Sequence, residues 1–542
     1  MDNLFYWIIE YLKVMFGYGF VILLWPSLVF RKYLKSKSMP FRFGFCVTAS
    51  IIIMNTVSLL FGILHILNKF TIWLFFYGLI IFSFRDKLKL QENTKRKIKY
   101  LITGTFGWKH FLMLCKKFFV VNINNLLKQF RKFYKKHWVE YSLLLLAMVY
   151  GMLYFSWSAF VEPSFAFSDV YVHHSWIYGL VQGEPFVAGI YPEGMHCVVY
   201  VIHTLFNIRI YSILLFISGI NIAITIIAAY CFMNYIFKWR FTSLFAIYLF
   251  LTMEVTNHFM IKGMARAQCA LPQEYAFPAI FICGLFLMRY LNSTRTKVIF
   301  EKHKNWCING ELLVFIMAVA STIAIHFYAT FMAVFVCVAV AIVYWRRIFR
   351  KTHFVPLVLA AFLGLFVAAV PMGIGFMSGI PLQGSLNWAM SVISDSSEKE
   401  ESTEVQEETT DETENDLQAS VSEKIDVNAK GQLVLSQGAF ITISNPIELT
   451  SVNKVSQKIA DIKNVLLNKL HILFESGYVK IYEKEKALVF VALTIFFILF
   501  WVIYRLITLF TKKNRQYFDN YMVAVIGATI FVISFCAGDL GL

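Results

Sequence analysis

The sequence predicts an all-α integral membrane protein of about twelve transmembrane helices, and three observations carry that reading. Of 542 residues, 58% are hydrophobic and only 15% charged, with a mean hydropathy of +0.62. A soluble chain has no way to bury that share of apolar surface. Apolar runs of spanning length recur from Leu4 to Cys536. The formal net charge of +17 gathers in the loops between alternate runs, where positive residues mark the cytoplasmic side. The basic balance is therefore topology, and no nucleic acid partner is expected.

The first run, Leu4 to Phe30, has Asp2 before it and Glu10 within it, and is followed by Arg31, Lys32, Lys35 and Lys37. This order is the reverse of a cleavable leader and puts the N-terminus on the extracytoplasmic side. Phe43 to Leu67 and Phe70 to Phe84 form a hairpin of two further spans. Arg85 to His137 carries Lys95-Arg96-Lys97, Lys116-Lys117, Arg131-Lys132 and Lys135-Lys136 between Phe and Leu residues. Such a pattern suits amphipathic helices lying on anionic membrane lipids. Residues 1–137 are thus an N-terminal three-span region with a basic cytoplasmic loop.

Residues 138–377 form the core. Trp138 to Phe160 emerges outside, Tyr211 to Phe237 returns, Phe241 to Val255 goes out and Ala276 to Tyr290 comes back. His196 to Leu205 is apolar but short, and reads as a surface or re-entrant helix. The roughly 34 apolar residues from Leu312 to Trp345 exceed the about 20 needed for one crossing. With basic flanks on both sides they fold as a hairpin whose outer turn falls at His326-Phe327-Tyr328. Phe354 to Met377 then runs outward. Residues 378–485 are an extracytoplasmic insertion. Its tract Asp395 to Asp416 is Glu/Thr/Ser with Lys399 as its one base, a composition that cannot bury a core and is expected to be disordered. Residues 486–542 hold two last spans, Ala487 to Phe510 and Tyr521 to Cys536, and stop so soon afterwards that a C-terminal continuation is expected to be missing.

Candidate chemistry concentrates in the outer loops. In Phe167 to His196, Asp169 and His173 are spaced i,i+4 and share a helical face, with His174 beside them. A carboxylate beside imidazoles can accept a proton or join a metal site; it can equally cap the wetted end of a membrane helix. The next outer loop carries Glu254, His258, Lys262, Arg266 and Glu274, and ionisable groups at membrane depth mark sites by their cost. Solvation of a protruding loop is the plainer account of them. Nine cysteines lack C-x-x-C or metal-ligand spacing and read as packing residues; Cys197 and Cys269 lie near the outer face, where a disulfide between them is the alternative, with no local feature to support it.

Taken together, an apolar helix emerging outside, Asp169, His173, a turn with Gly183 and Pro185, and Tyr191, Pro192, Gly194 and His196 in a Y-P-x-G-x-H pattern resemble the first outer loop of the GT-C superfamily. Members are polytopic glycosyltransferases that move a sugar from a polyprenyl-phosphate donor to an acceptor outside the membrane. The resemblance covers Trp138 to Met377 as architecture and Phe167 to His196 as motif. It implies a GT-C-like core with its active site in the first extracytoplasmic loop, and Asp169 as general base for an envelope glycan, lipid or protein acceptor. Charge building on the leaving phosphate then asks for a cation, with Arg266 first, Lys262 and His326 behind it, and His173, His174, His196, Glu254 and Glu274 in support. No D-x-D or W-W-D occurs in the outer loop, so a divalent metal cofactor stays open. The other class compatible with these residues is a transporter or flippase for a lipid-linked or anionic envelope precursor.

Overall fold

The computed structural model describes residues 2–88, 137–165, 168–237, 239–252, 268–293, 306–384 and 515–536, with isolated positions elsewhere. The chain divides into two units. One holds Ala188–Tyr191, Ile380–Phe490 and Cys536–Leu542. Its described residues include an antiparallel pair, β1 (Asp426–Val427) with β2 (Leu433–Val434). There, too, Ile190 N donates to Pro381 O at 2.8 Å and Gln383 N to Ile190 O at 3.1 Å. The acidic tract expected at Asp395 to Asp416 lies outside the described residues.

The other unit, Met1–Val187, Pro192–Gly379 and Val491–Phe535, is helical. In chain order it contains α1 (Asp2–Gly19), a π turn (Phe20–Leu24), α2 (Trp25–Val29), α3 (Arg31–Leu34), α4 (Met39–Ile63), α5 (Lys69–Leu88) and α6 (Trp138–Val161). Then come α7 (Ser168–Gln182), α8 (Gly194–Phe206), α9 (Ile210–Ile236), α10 (Arg240–Thr252), α11 (Pro272–Tyr275) and α12 (Phe277–Leu291). α13 (Gly310–Ile325), α14 (Phe327–Ile348), α15 (Lys351–Met377) and α16 (Arg515–Cys536) complete it. Among the described residues seven helices are long and apolar enough to cross a membrane: Leu4–Val29, Met39–Ile63, Trp138–Val161, Ile210–Ile236, Pro272–Leu291, Phe327–Ile348 and Lys351–Met377. Of the other expected spans, Phe70 to Phe84, Phe241 to Val255 and the first half of Leu312 to Trp345 correspond to shorter apolar helices. At 1.5 Å per residue the 16 residues of α13 reach about 24 Å, short of a bilayer core of about 30 Å. Most of Ala487 to Phe510 lies outside the described residues.

α9 is the centre of the bundle. It is apolar on every side and buried along nearly its whole length, as a helix surrounded by other helices must be. Small residues set its approach to α6: a Cβ on Gly219 would stand 2.0 Å from Ser156 Oγ, and one on Gly151 2.9 Å from Ile222. Its buried amide, Asn221, is matched on both sides, accepting from Tyr18 Oη at 2.6 Å and donating to Tyr275 O at 3.1 Å. The first membrane helix bends for a traceable reason. Pro26 has no N–H to give the carbonyl of Ile22, the helix widens into the π turn, and Ser50 Oγ of α4 supplies the donor at 3.2 Å from Ile22 O and 3.1 Å from Val21 O.

A second polar group joins helix ends. Arg289 of α12 donates from Nε and Nη2 to the two carboxylate oxygens of Glu311 on α13, both at 2.9 Å. Asn292 Nδ2 reaches Tyr235 Oη at 3.1 Å and its Oδ1 accepts from Arg347. Asn520 of α16 accepts from Tyr344 and donates to Tyr235 O at 3.0 Å, which fastens the last helix to α9 and α14.

Candidate functional site

The site begins where α6 ends. Glu162 and Pro163 leave the helical conformation, and after a short turn α7 starts at Ser168, which puts Asp169 in its first turn. Asp169 is exposed, and one turn on, His173 is buried. The i,i+4 spacing thus sets the carboxylate at the lip and the imidazole beneath it.

His173 Nδ1 and His196 Nε2 are 3.0 Å apart. His196 sits in the first turn of α8 and is fully buried, with the Trp176 ring 5.4 Å from its own and edge-on to His173 at 5.2 Å. Only one proton fits between the two rings, so one nitrogen donates and the other accepts. Whichever tautomer holds, His196 Nδ1 is buried with no hydrogen-bond partner. Burial pushes His173 down to about 4 and drives His196 well below the ordinary imidazole value, helped by the like charges of His173 and His326. Both rings are therefore neutral at pH 7 and act as a rigid hydrogen-bonded brace between α7 and α8. His174 points to the other side, against Phe165 and Tyr178, and burial lowers it as well.

His326 closes this group from the third side. It stands extended (φ −166°, ψ 135°) between α13 and α14, where the expected turn fell, and its Nδ1 accepts from Tyr328 N at 3.0 Å, capping α14. Accepting there leaves the ring proton of a neutral His326 on Nε2. Glu274 is buried on the four-residue helix α11, which packs on α8 and α13. The structure thus brings His173, His196 and His326 together, keeps Asp169 one turn above, and holds Glu274 on a neighbouring element. Glu254, His258, Lys262 and Arg266 lie outside the described residues.

Sequence reasoning missed Glu193, the unspecified residue of the Y-P-x-G-x-H pattern. It precedes α8, is 2% exposed, and its Oε2 has no hydrogen-bond partner among the described residues. The N–H of Phe186 stabilises its carboxylate, yet burial outweighs that and pushes the group up to about 8. Phe186 itself sits at φ +59°, a left-handed conformation costly for a bulky side chain. An acid next to a helix-starting Gly was the signal available.

Among the described residues no group of three or more His, Cys, Asp or Glu side chains is placed to hold a metal ion. Cys197 and Cys269 are buried and are not joined in a disulfide. Comparison with families of known proteins, with curated proteins and with solved structures finds no match to this chain.

Proposed function

We propose that this protein is a membrane glycosyltransferase of the GT-C kind, with a core of residues 138–377, taking sugar from a polyprenyl-phosphate donor to an extracytoplasmic envelope acceptor. One observation carries the reading. A spanning helix, α6, leads into a short non-spanning helix whose first turn exposes Asp169, and a buried His173–His196 contact pins that helix to a second short helix before the chain crosses again at α9. A base must meet a water-borne or membrane-surface acceptor, and an exposed carboxylate on a braced helix does so.

In the proposed reaction Asp169 takes the acceptor hydroxyl proton as its oxygen attacks the anomeric carbon. The carbon–oxygen bond to phosphate breaks with its electron pair, polyprenyl phosphate leaves, and the anomeric centre inverts. Charge on the leaving phosphate is met by Arg266 and Lys262, with the Nε2–H of His326 donating a hydrogen bond. The N-terminus and the loops after α6 and α10 are extracytoplasmic, about twelve spans cross the membrane, and 378–485 is an outer insertion. If a divalent metal serves this site, Glu254 and Glu274 would hold it, and it would supply positive charge beside the leaving phosphate.

The test is mass spectrometry of lipid-linked sugars and surface glycans in cells lacking the gene, complemented with wild type or Asp169→Asn at equal expression. Loss of one envelope sugar with its lipid-linked donor accumulating, rescued by the wild type alone, is the expected result. Equal rescue by both removes Asp169 as the base. A transport reading is favoured by one feature, the helix break at His326 beside the buried, unmatched Glu193, since transport sites are built from broken helices. Donor accumulation inside intact membranes without any in vitro transfer would favour it.

A further inference from the structure

We infer that the start of α8, together with the facing parts of α4 and the end of α13, forms a buried binding site for a single monovalent alkali cation, with Glu193 as its charged ligand. The inference goes beyond the glycosyltransferase reading and does not depend on it.

The geometry begins with Gly194. A Cβ there would stand 2.8 Å from Ala324 O, so the backbone beside Glu193 lies directly on the carbonyl end of α13. A carbonyl at that position ordinarily accepts from the N–H four residues on. Here that donor, Tyr328 N, bonds His326 Nδ1 instead. The negative end of a helix dipole therefore abuts a buried acid. The opposite wall is α4. Glu193 and Ser58 both act on the Cys197 thiol, one turn into α8, so the Ser58 hydroxyl faces the same spot. Gly62, a turn further along α4, lets Pro185 pack within 2.6 Å of where its Cβ would be, and that close approach seats the Phe186 N–H on the Glu193 carboxylate.

Two oxygens in this layer lack partners: Glu193 Oε2 and, on α4, Asn55 Oδ1 are buried with no hydrogen-bond donor among the described residues. Ser58 Oγ, one turn from Asn55, is buried with the Cys197 thiol as its neighbour. Acceptors left unmatched in an apolar interior are costly, and an unmatched carboxylate far more so. Carboxylate, hydroxyl and carbonyl oxygens are the donor set of a hard cation. The charge selects its valence. Among the described residues Glu193 is the acid that acts on Cys197, His173 and His196 are neutral, His326 accepts from Tyr328 N, and the buried Cys197 thiol keeps its proton. A monovalent ion closes the charge to zero, whereas a divalent one would leave a buried positive charge uncompensated.

The experiment uses the purified full chain in detergent at pH 9, where Glu193 has released its proton. The thermal midpoint is followed by tryptophan fluorescence in NaCl and in choline chloride at equal ionic strength. Sodium is expected to raise the wild-type midpoint saturably by about 5 °C over choline. Glu193→Gln is expected to lose that response, and Ser58→Ala to need several-fold more sodium for half its effect. Equilibrium dialysis of the wild type with radioactive sodium is expected to give one ion per chain, a readout that holds even if the variants fold poorly. Identical midpoints in sodium and choline with no ion retained would overturn the site and leave buried water as the partner of these oxygens; an undiminished sodium response in Glu193→Gln would overturn it equally.

Discussion

Two polar clusters stand at opposite ends of α13 and α14, and they are built by opposite rules. At one end Arg289, Glu311, Asn292, Arg347, Tyr344 and Asn520 pair among themselves, with the Arg289 guanidinium forked on the Glu311 carboxylate and Arg347 donating to the Asn292 amide oxygen. At the other end His196 Nδ1 and Glu193 Oε2 are buried and unmatched, and a bulky residue, Phe186, is held at positive φ. A matched cluster satisfies itself and stabilises; an unmatched one keeps capacity for something not of this chain. The first end fastens helices, and the second is where function is to be sought.

The sharpest way to break that contrast is chemical. Asp169→Asn should lower sugar transfer by about 10²- to 10⁴-fold, the range for losing a general base, while leaving the thermal midpoint within about 1 °C because the side chain is exposed. Substitutions in the matched cluster should do the reverse. Single-turnover transfer with purified protein reads the first quantity and fluorescence melting the second. An Asp169→Asn protein that melts early but transfers normally would invert the assignment of the two ends.

The next effect is a pH profile, measured by denaturant unfolding in choline buffer. Folded Glu193 titrates near 8 against an ordinary 4.5, so between those values the native state binds more protons than the unfolded one, and stability falls as pH rises. His173 is shifted the other way, to about 4 from 6.5, so its contribution rises with pH across that window. The two slopes oppose each other between 4.5 and 6.5, and from 6.5 to 8 only the Glu193 slope of the two remains. Its full extent is at most about 5 kcal/mol at 1.36 kcal/mol per unit. Glu193→Gln should flatten the profile above 6.5 and uncover a rising limb below it. A Gln variant that still loses stability between 6.5 and 8 would move the titration to another group.

How much of this was legible in the sequence follows from which forces act locally. Apolar run length and the alternation of Lys and Arg are local, and the helices at Met39–Ile63, Trp138–Val161, Ile210–Ile236 and Lys351–Met377 fell where they were expected. The break at His326 was readable for the same reason, since 34 apolar residues are too many for one crossing. The His173–His196 contact was not, because spacing fixes only which face a residue shares and not which helix lies against it. Spacing grouped Asp169 with His173, yet packing separated them into an exposed and a buried residue. Glu193 was passed over because its burial is decided by α4 and α13, both more than 100 residues distant. The π turn at Phe20–Leu24 was hidden likewise, since Pro26 announces a defect while only Ser50 explains how it is tolerated.

A smaller effect tests whether the matched cluster is purely structural. The Arg289–Glu311 pair is bidentate, with both side chains about one-fifth exposed, so screening trims its worth to about 1–2 kcal/mol. A double-mutant cycle through Arg289→Gln and Glu311→Gln should give a coupling in that range from unfolding curves, with turnover per folded molecule unchanged. A turnover loss that outruns the loss of folded protein would mean that this end, too, takes part in the reaction.

The smallest effect separates capping from chemistry at the two ends of α13. Asn309 accepts from Leu312 N at 3.0 Å and caps α13, beside the matched cluster; His326 accepts from Tyr328 N at 3.0 Å and caps α14, beside the unmatched one. Removing either cap by alanine should cost about 1 kcal/mol, and by stability alone the two variants should look alike. They should part in transfer if the His326 ring serves the proposed donor phosphate, a role for which Asn309, at the other end of α13, is not proposed. His326→Asn sharpens the point: asparagine is a good capping residue, so the midpoint should recover while the donor KM stays raised several-fold. Full recovery of both would reduce His326 to a cap and leave Arg266 and Lys262 as the cations to pursue.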